Sequence, residues 1–314
     1  MDKKDLIIIG AGSAGLSAGI FGARLGMDSL IIEMLMPGGL VINSEKIEDY
    51  PGIAQGISGS ELIGNMQTQA LESGAEIILS EVNNIKKNIT NDNWIVETYE
   101  TSYDTKSIII ASGSKLKKLN VPGEEHLTGS GVSYCATCDG AFFLDQNVCV
   151  VGDGDSALEE ALTLTQFAKN INIYSKNSHL QGQKILQNKI LEHPQIQVHY
   201  QKEIIKIHGD TEVEKISLVD TNSQTVSSVD TNGVFIFIGL EPNTEYLKGL
   251  LKLDCTNKIP TDISMRSILP GILAAGDIRK NSASQLITTS GDGVTAALSA
   301  YEYIRGNQWE VQIQ

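Results

Sequence analysis

Short apolar runs recur along the chain, and several of them are followed directly by glycine. The first covers residues 6–9, and a stretch with helical character follows from residue 13 to about residue 26. A second apolar run, residues 29–32, ends at Glu33. Strands without polar alternation are typical of parallel sheets that are covered on both faces. The start of the chain therefore predicts a strand, a helix and a second parallel strand.

A related pattern returns in the second half of the chain. Residues 147–151 (NVCVV) predict a strand, residues 158–168 a helix and residues 171–175 (INIYS) the next strand. This is a second unit of the same β-α-β architecture, although its sequence is not closely similar to the first.

Glycines occupy the turn between strand and helix in both units. Gly10, Gly12 and Gly15 give G-x-G-x-x-G, while the later turn has the form G-x-G-x-x-A. Such glycines let the backbone approach a pyrophosphate, and the helix N-terminus offers unpaired N–H groups. Glu33 lies about 20 residues after the first turn, where an acid binds ribose hydroxyls. A dinucleotide site is therefore predicted at the first turn, and a second nucleotide-binding unit at the later one.

Further apolar segments decide how the two units are arranged. Strands are predicted at 107–113, 233–239 and 270–278, followed by a helix at 290–304. The last two segments complete the first unit, so the second unit is an insertion within it. The predicted class is α/β, with two Rossmann-like domains of three layers (ββα), the second inserted into the first. The predicted domains are 1–117 with 244–314, and 118–243.

The composition is that of a globular protein with an acidic surface. Of 314 residues, 41% are apolar and 20% are charged, and the net charge is −14. This charge argues against nucleic-acid binding. No apolar run approaches the roughly 18 residues of a membrane span, and the first residues lack the pattern of a secretion signal. A cytoplasmic protein without a membrane partner is therefore expected.

Residues 131–140, GVSYCATCDG, carry a C-x-x-C pair followed by an acid: Cys135, Cys138 and Asp139. Such a pair can bind a metal, form a structural disulfide or act in redox chemistry. A zinc site would need a second pair of ligands, which Cys149 and Cys255 do not form. A reducing compartment also disfavours a structural disulfide. The pattern therefore favours a redox pair and no metal.

These motifs together resemble the low-molecular-weight thioredoxin reductases over nearly the whole chain. The segments that carry the resemblance are GAGSAGLSA, EDYPG, GVSYCATCDG, GDGDSALEEALTLT, GVFIFIGLEPNT and GILAAGDI. The resemblance implies FAD on the first glycine turn, NADPH on the second, a homodimer, thioredoxin or a thioredoxin-like protein as partner, and a role in cell redox homeostasis. It also implies that Cys138 accepts electrons from the flavin, Cys135 attacks the partner disulfide and Asp139 moves protons.

The family's flavin contacts are present with two departures. Leu40 stands where the family usually has Gln, and Asp49 where it usually has Asn. The FAD residues implied by the resemblance are Gly10, Gly12, Ser13, Ala14, Gly15, Glu33, Gly38, Gly39, Leu40, Asp49, Ala111, Gly113, Gly276, Asp277, Gln285 and Leu286.

The second nucleotide site departs further from the family. Arginines usually bind the 2′-phosphate of NADPH there, but residues 174–183, YSKNSHLQGQ, contain no Arg and no acid that would favour NADH. Asp153 adds a negative charge near the expected pyrophosphate. The implied residues of this site are Gly152, Gly154, Asp155, Ser156, Ala157, Ser175 and Lys176.

The electron donor is accordingly open at the level of sequence. NADPH or NADH with weak discrimination is one expectation, and ferredoxin or another non-nicotinamide donor is the alternative. Two other functions compete with thioredoxin reduction: an oxidase of small dithiols, and a flavin-binding sensor without turnover. The intact cysteine pair beside an acid argues against the sensor.

Overall fold

The computed structural model describes residues 1–311, which divide into two compact units. The first unit comprises Met1–Lys115 and the described chain from Glu241 onward, and the second comprises Leu116–Leu240. Among the described residues, no helix is both long enough and apolar enough to cross a membrane.

The first unit begins with alternating strands and helices and continues into an antiparallel meander. Its elements up to the second unit are β1 (Asp2–Ile9), α1 (Ser13–Arg24), β2 (Ser29–Glu33), α2 (Gly59–Glu72), β3 (Glu76–Leu79), β4 (Val82–Lys87), β5 (Trp94–Thr98), β6 (Ser102–Ile110) and β7 (Ser114–Leu116).

The second unit has the same kind of core, followed by its own meander. Its elements are α3 (Glu124–Leu127), β8 (Val132–Ser133), α4 (Ala136–Asp139), β9 (Asn147–Val151), α5 (Asp155–Leu164), β10 (Asn170–Tyr174), α6 (Lys184–Glu192), β11 (Ile196–His199), β12 (Lys202–His208), β13 (Lys215–Asp220), β14 (Val226–Asp230) and β15 (Gly233–Ile236).

The chain then returns to the first unit through β16 (Leu240–Pro242), β17 (Ile272–Ala274) and α7 (Leu286–Ile304). Helix α7 packs closely on α1, since a Cβ on Gly293 would lie 2.0 Å from the carbonyl oxygen of Ala14. The strands β7 and β16, where the chain leaves and re-enters this unit, pair with each other. The change of unit therefore falls at 115/116 and 240/241.

Both units combine parallel and antiparallel strands, but they arrange them differently. In the first, the strand order is β3-β2-β1-β6-β5-β4, and β17 also pairs with β6. In the second, the parallel order is β11-β10-β9-β15-β8, and β12-β13-β14 form a separate antiparallel sheet. In the first unit β5 pairs antiparallel with β6 and β4 with β5, so that these strands continue the main sheet, whereas in the second unit the antiparallel strands form a sheet of their own.

The two faces of β1 explain why its sequence is apolar throughout. Leu6 and Ile8 pack in a core with residues of α1 and α7, whereas Ile7 and Ile9 pack in a second core that includes Trp94. All four are almost fully buried. A strand covered on both faces has no position for an exposed polar side chain.

Several element boundaries differ from those predicted. The helix expected at 158–168 begins at Asp155, directly after the second glycine turn, and ends at Leu164. An acid in the first turn is favourable beside the helix dipole, which explains the early start. The strand expected at 270–278 is only Ile272–Ala274, and a short 3-10 turn follows. The final helix begins at Leu286 rather than at residue 290.

Candidate active site and nucleotide sites

A cavity of about 580 Å³ lies in the first unit, at the carboxyl ends of β1, β2 and β6. This is where open α/β sheets bind their ligands. Most of the expected FAD residues line it, while Gly15 and Asp49 do not. Asp49 lies instead in a small separate concavity formed by residues 48–54. The expected residues that line the cavity are Gly10, Gly12, Ser13, Ala14, Glu33, Gly38, Gly39, Leu40, Ala111, Gly113, Gly276, Asp277, Gln285 and Leu286.

Each of the three positions in the first turn requires glycine for a different structural reason. Gly10 has a φ of 103°, and a Cβ there would lie 2.4 Å from the carbonyl oxygen of Ala111. A Cβ on Gly15 would lie 1.8 Å from the carbonyl oxygen of Gly10, so this glycine permits the turn itself. Gly12, at the N-cap of α1, has ordinary φ and ψ and faces open space within the cavity. The absence of a side chain at Gly12 therefore leaves space for a ligand and is not required by a contact with other protein atoms.

Glu33 ends β2 and turns its carboxylate back to the glycine turn. Its Oε2 accepts a hydrogen bond of 2.7 Å from the backbone N–H of Ala11, and Oε1 accepts one of 3.2 Å from Leu35. Each carboxylate oxygen has a further lone pair available for a ribose hydroxyl. This geometry fits the adenosine ribose of a dinucleotide.

Asp277 provides a second acceptor on the cavity wall. Its Oδ1 is buried and accepts no hydrogen bond from the described residues, and burial raises the pKa of its carboxyl group. A buried acceptor without a partner is costly. A ligand hydroxyl in the cavity would satisfy it, so the cavity fits a flavin dinucleotide, whose ribityl chain carries such hydroxyls.

Several supporting residues were not predicted from the sequence. Asp292 of α7 is buried, accepts the backbone N–H of Gly276 at 3.1 Å and forms two hydrogen bonds with Arg279, of 2.6 and 2.8 Å. Ser13 and Thr289 share a buried hydrogen bond of 2.6 Å. These contacts join α1 and α7 to the turn that carries Asp277. The available signal for Asp292 was an acid placed among the small and apolar residues of α7.

The predicted redox pair forms a disulfide in the second unit. Cys135 is the N-cap of the single-turn helix α4, and its Cα lies 5.4 Å from that of Cys138. Cys138 is exposed, whereas Cys135 is partly buried. The hydroxyl of Ser133 lies 2.6 Å from Oδ2 of Asp139, and it accepts the N–H of Cys135 at 3.1 Å. Ser133, which no sequence motif singles out, thus fixes Asp139 next to the pair.

The loop between the cysteines has a further acidic partner. Glu160 of α5 accepts the backbone N–H of Ala136 through Oε2, at 2.6 Å. Tyr134, just before Cys135, donates to the buried Glu124 at 2.7 Å. The pKa of the Tyr134 phenol is raised mainly by burial and, to a smaller extent, by this hydrogen bond. These contacts hold the C-x-x-C turn from both sides.

The second glycine turn has the shape of the first. Gly152 has a φ of 138°, and a Cβ there would lie 2.1 Å from the carbonyl oxygen of Phe237. Gly154 faces open space, as Gly12 does, and α5 begins directly after it. Ala157 is buried against the strands, and Ser156 is exposed. The backbone of a dinucleotide turn is therefore intact.

The polar groups around this turn are arranged differently from those of the first. Oδ2 of Asp153 accepts hydrogen bonds from the hydroxyl of Ser175, at 2.5 Å, and from the side-chain amide of Asn177, at 2.8 Å. Asp155 accepts the backbone N–H of Gln183 at 2.6 Å. Lys176, the cation expected to bind a phosphate, is exposed. The structure thus directs the carboxylate of Asp153 to the end of β10.

The remaining cysteines give a simple prediction. Cys149 is buried, which raises the pKa of its thiol to about 12, whereas Cys255 is exposed. Because the thiolate is the reactive form, we expect iodoacetamide at about pH 8 to modify Cys255 and not Cys149 in the native, oxidised protein. Peptide mass spectrometry would show this, with Cys135 and Cys138 modified only after reduction. Rapid labelling of Cys149 in the native protein would contradict the expectation that its buried thiol is unreactive.

The comparison with known proteins places this geometry in a family. Residues 4–293 match the family described as pyridine nucleotide-disulphide oxidoreductase. A thioredoxin reductase of Peptoclostridium litorale is 38% identical over 308 residues, covering 96% of each chain. The chain belongs to the pyridine nucleotide-disulphide oxidoreductases and, within them, to the thioredoxin reductase type.

Solved structures agree with this assignment. The crystal structure of Lactococcus lactis thioredoxin reductase (FR conformation) matches with a TM-score of 0.94 and 37% identity, covering 96% of this chain and 99% of that one. A ferredoxin-flavin thioredoxin reductase from Clostridium acetobutylicum matches with a TM-score of 0.53 and 29% identity, over 97% and 98% of the two chains. The predicted resemblance, the α/β fold with two Rossmann-like domains, and the class of FAD-dependent disulfide oxidoreductase are confirmed.

Proposed function

We propose that this enzyme reduces the disulfide of thioredoxin or a thioredoxin-like protein. The observation that carries the proposal is the Cys135–Cys138 disulfide, which lies on a turn with one sulfur-bearing residue exposed and an acid fixed beside it. The similarity to thioredoxin reductases extends over nearly the full chain, including this turn.

In this proposal the first unit is the FAD domain. Glu33 would accept hydroxyls of the adenosine ribose, and the open space at Gly12 would admit the pyrophosphate to the N-terminus of α1. The unpartnered Oδ1 of Asp277 would accept a hydroxyl of the ribityl chain. When bound, FAD supplies the two electrons that open the cysteine disulfide. The second unit carries the dithiol and a pyridine-nucleotide turn.

The cysteine pair then performs thiol–disulfide exchange. The Cys135 thiolate attacks one sulfur of the partner disulfide, an S–S bond between the proteins forms, and the other partner sulfur leaves as a thiolate. Cys138 attacks Cys135, the internal disulfide forms again, and the second partner sulfur leaves. Two protons convert the product thiolates to thiols. Asp139, fixed by Ser133, is placed to deliver or remove protons at this turn.

Two kinds of donor are consistent with the family and its neighbours. Proteins of this family use NADPH or NADH, and the intact backbone of the second glycine turn supports a nicotinamide donor here. The similarity to a ferredoxin-flavin thioredoxin reductase favours ferredoxin as the second candidate. We further propose a homodimer in the cytoplasm, where a reducing environment keeps Cys149 and Cys255 as free thiols.

The function can be tested without knowledge of the donor. Holoenzyme is reduced anaerobically with dithionite, freed of excess reductant and mixed with oxidised thioredoxin, and the new thioredoxin thiols are counted. Dithionite reduces both the flavin and the disulfide, so we expect about two thioredoxin disulfides reduced per subunit, one by the Cys135–Cys138 dithiol and one by the electrons of the reduced flavin. A Cys255→Ser variant is the matched control and should behave like the wild type. Peroxide formation from small dithiols, without thioredoxin reduction, would instead establish the oxidase function.

A further inference from the structure

Equivalent hydrogen bonds in the two glycine turns show which residue of one turn corresponds to which residue of the other. In the first unit, Gly10 donates its N–H to Ile32 at 2.8 Å, and in the second, Gly152 donates to Tyr174 at 3.1 Å. The strand registers agree, with Ile9 opposite Ile32 and Val151 opposite Tyr174. The residue after each pair is therefore equivalent in the two units.

This equivalence pairs Ala11 with Asp153, and Glu33 with Ser175. In the first unit the acid is at the end of the strand and bonds to the backbone of Ala11 in the glycine turn. In the second unit the acid is in the glycine turn and bonds to the hydroxyl of Ser175 at the end of the strand. A carboxylate thus joins the same two positions in both units, but it comes from opposite partners.

The carboxylate of Asp153 also has acceptor capacity to spare. Ser175 and Asn177 both donate to the same oxygen, Oδ2. A carboxylate oxygen carries two lone pairs. Oδ1 can therefore accept ribose hydroxyls, as an acid does at the end of the second strand in NAD-binding folds.

A 2′-phosphate would meet unfavourable chemistry at the same point. Its charge would approach that of Asp153, and the neighbouring Ser175 and Asn177 provide hydrogen bonds but no positive charge. Lys176 is exposed and supplies a single point charge without the fork geometry of Arg. The weak discrimination expected from sequence rested on the absence, in residues 174–183, of both arginines and an acid that would favour NADH. The position of the Asp153 carboxylate supplies an acid from a different segment and adds a preference.

We propose that Asp153 is the specificity-determining residue of the second nucleotide site and selects a dinucleotide with an unphosphorylated adenosine ribose, NADH, over NADPH. This inference rests on the proposed function in that it assigns a nicotinamide donor to the same enzyme. The acid acts on the ribose from the glycine turn, whereas in the first unit it acts from the strand end.

Binding measurements on the oxidised holoenzyme test this directly. Calorimetric titration should show that NAD⁺ binds about 10-fold or more tightly than NADP⁺, as expected for one charged hydrogen-bonding group. Asp153→Ala should weaken NAD⁺ binding, strengthen NADP⁺ binding and bring the two affinities to within about threefold. Asp230→Asn removes an exposed acid on β14 of the same unit and should leave the ratio unchanged.

A second variant moves the acid back to the strand end. Asp153→Ala combined with Ser175→Glu reproduces the arrangement of Ala11 and Glu33, and it should restore the preference for NAD⁺ that Asp153→Ala loses. Tighter binding of NADP⁺ by the wild type, or an unchanged ratio in Asp153→Ala, would overturn the inference. So would absence of binding by either nucleotide. Since the thioredoxin assay uses dithionite, the proposed function would stand or fall separately.

Discussion

Replacement of Cys138 by serine is expected to abolish thioredoxin reduction, lowering turnover by at least about a thousandfold, because a single thiol cannot complete the two-step exchange. FAD should remain bound, since the cavity is built by first-unit residues and the cysteine lies in the second unit. Steady-state turnover with dithionite as reductant, together with the flavin absorbance of the purified variant, measures both expectations.

The same variant distinguishes the roles of the two cysteines. With Cys138 replaced, Cys135 can still attack a partner disulfide, and the mixed disulfide then persists because nothing resolves it. The partner for this test is a thioredoxin variant in which the resolving cysteine is replaced by serine and the remaining thiol is activated with thionitrobenzoate. We expect Cys138→Ser to form a covalent adduct with this variant. Cys135→Ser should form little adduct, although Cys138 is the more exposed residue in the structure. Adduct formation mainly by Cys135→Ser would reverse the assigned roles.

The parts of the site that the sequence predicts are those determined by neighbouring residues. A glycine turn, its strand and its helix occupy about 30 consecutive positions, so their pattern is visible without knowledge of the fold. The C-x-x-C pair with its acid is similarly local. The helix start at Asp155 was missed because Asp and Ser, which follow Gly154, are common both in loops and in first helical turns.

The parts that were not predicted depend on contacts between distant positions. Ser13 and Thr289 are separated by 276 residues, and Asp292 supports a turn formed by a different segment. The direction of the Asp153 carboxylate depends on the end of β10, 22 residues away. None of these contacts leaves a periodic signal in the sequence.

A glycine that serves only the ligand offers the cleanest test of the FAD site. Gly15→Ala is uninformative, because a Cβ 1.8 Å from the carbonyl oxygen of Gly10 would disrupt the turn and the fold together. At Gly12 the backbone has a φ of −74°, which any residue adopts, and a Cβ added there would have no protein atom within 4 Å beyond its chain neighbours and its own helix. A side chain there meets only the space that the pyrophosphate is expected to fill.

We therefore expect Gly12→Val to fold normally and to bind FAD at least about 100-fold more weakly than the wild type. The apoprotein's free energy of unfolding should change by only about 1 kcal/mol, the cost of a poor N-cap residue. Gly64→Val on α2 is the matched control, because its Cβ also meets no protein atom and it does not line the cavity. Flavin content after purification, FAD titration and urea unfolding of the apoproteins measure these quantities. Wild-type FAD affinity in Gly12→Val would place the pyrophosphate elsewhere, since a branched side chain and a phosphate cannot share the space above this turn.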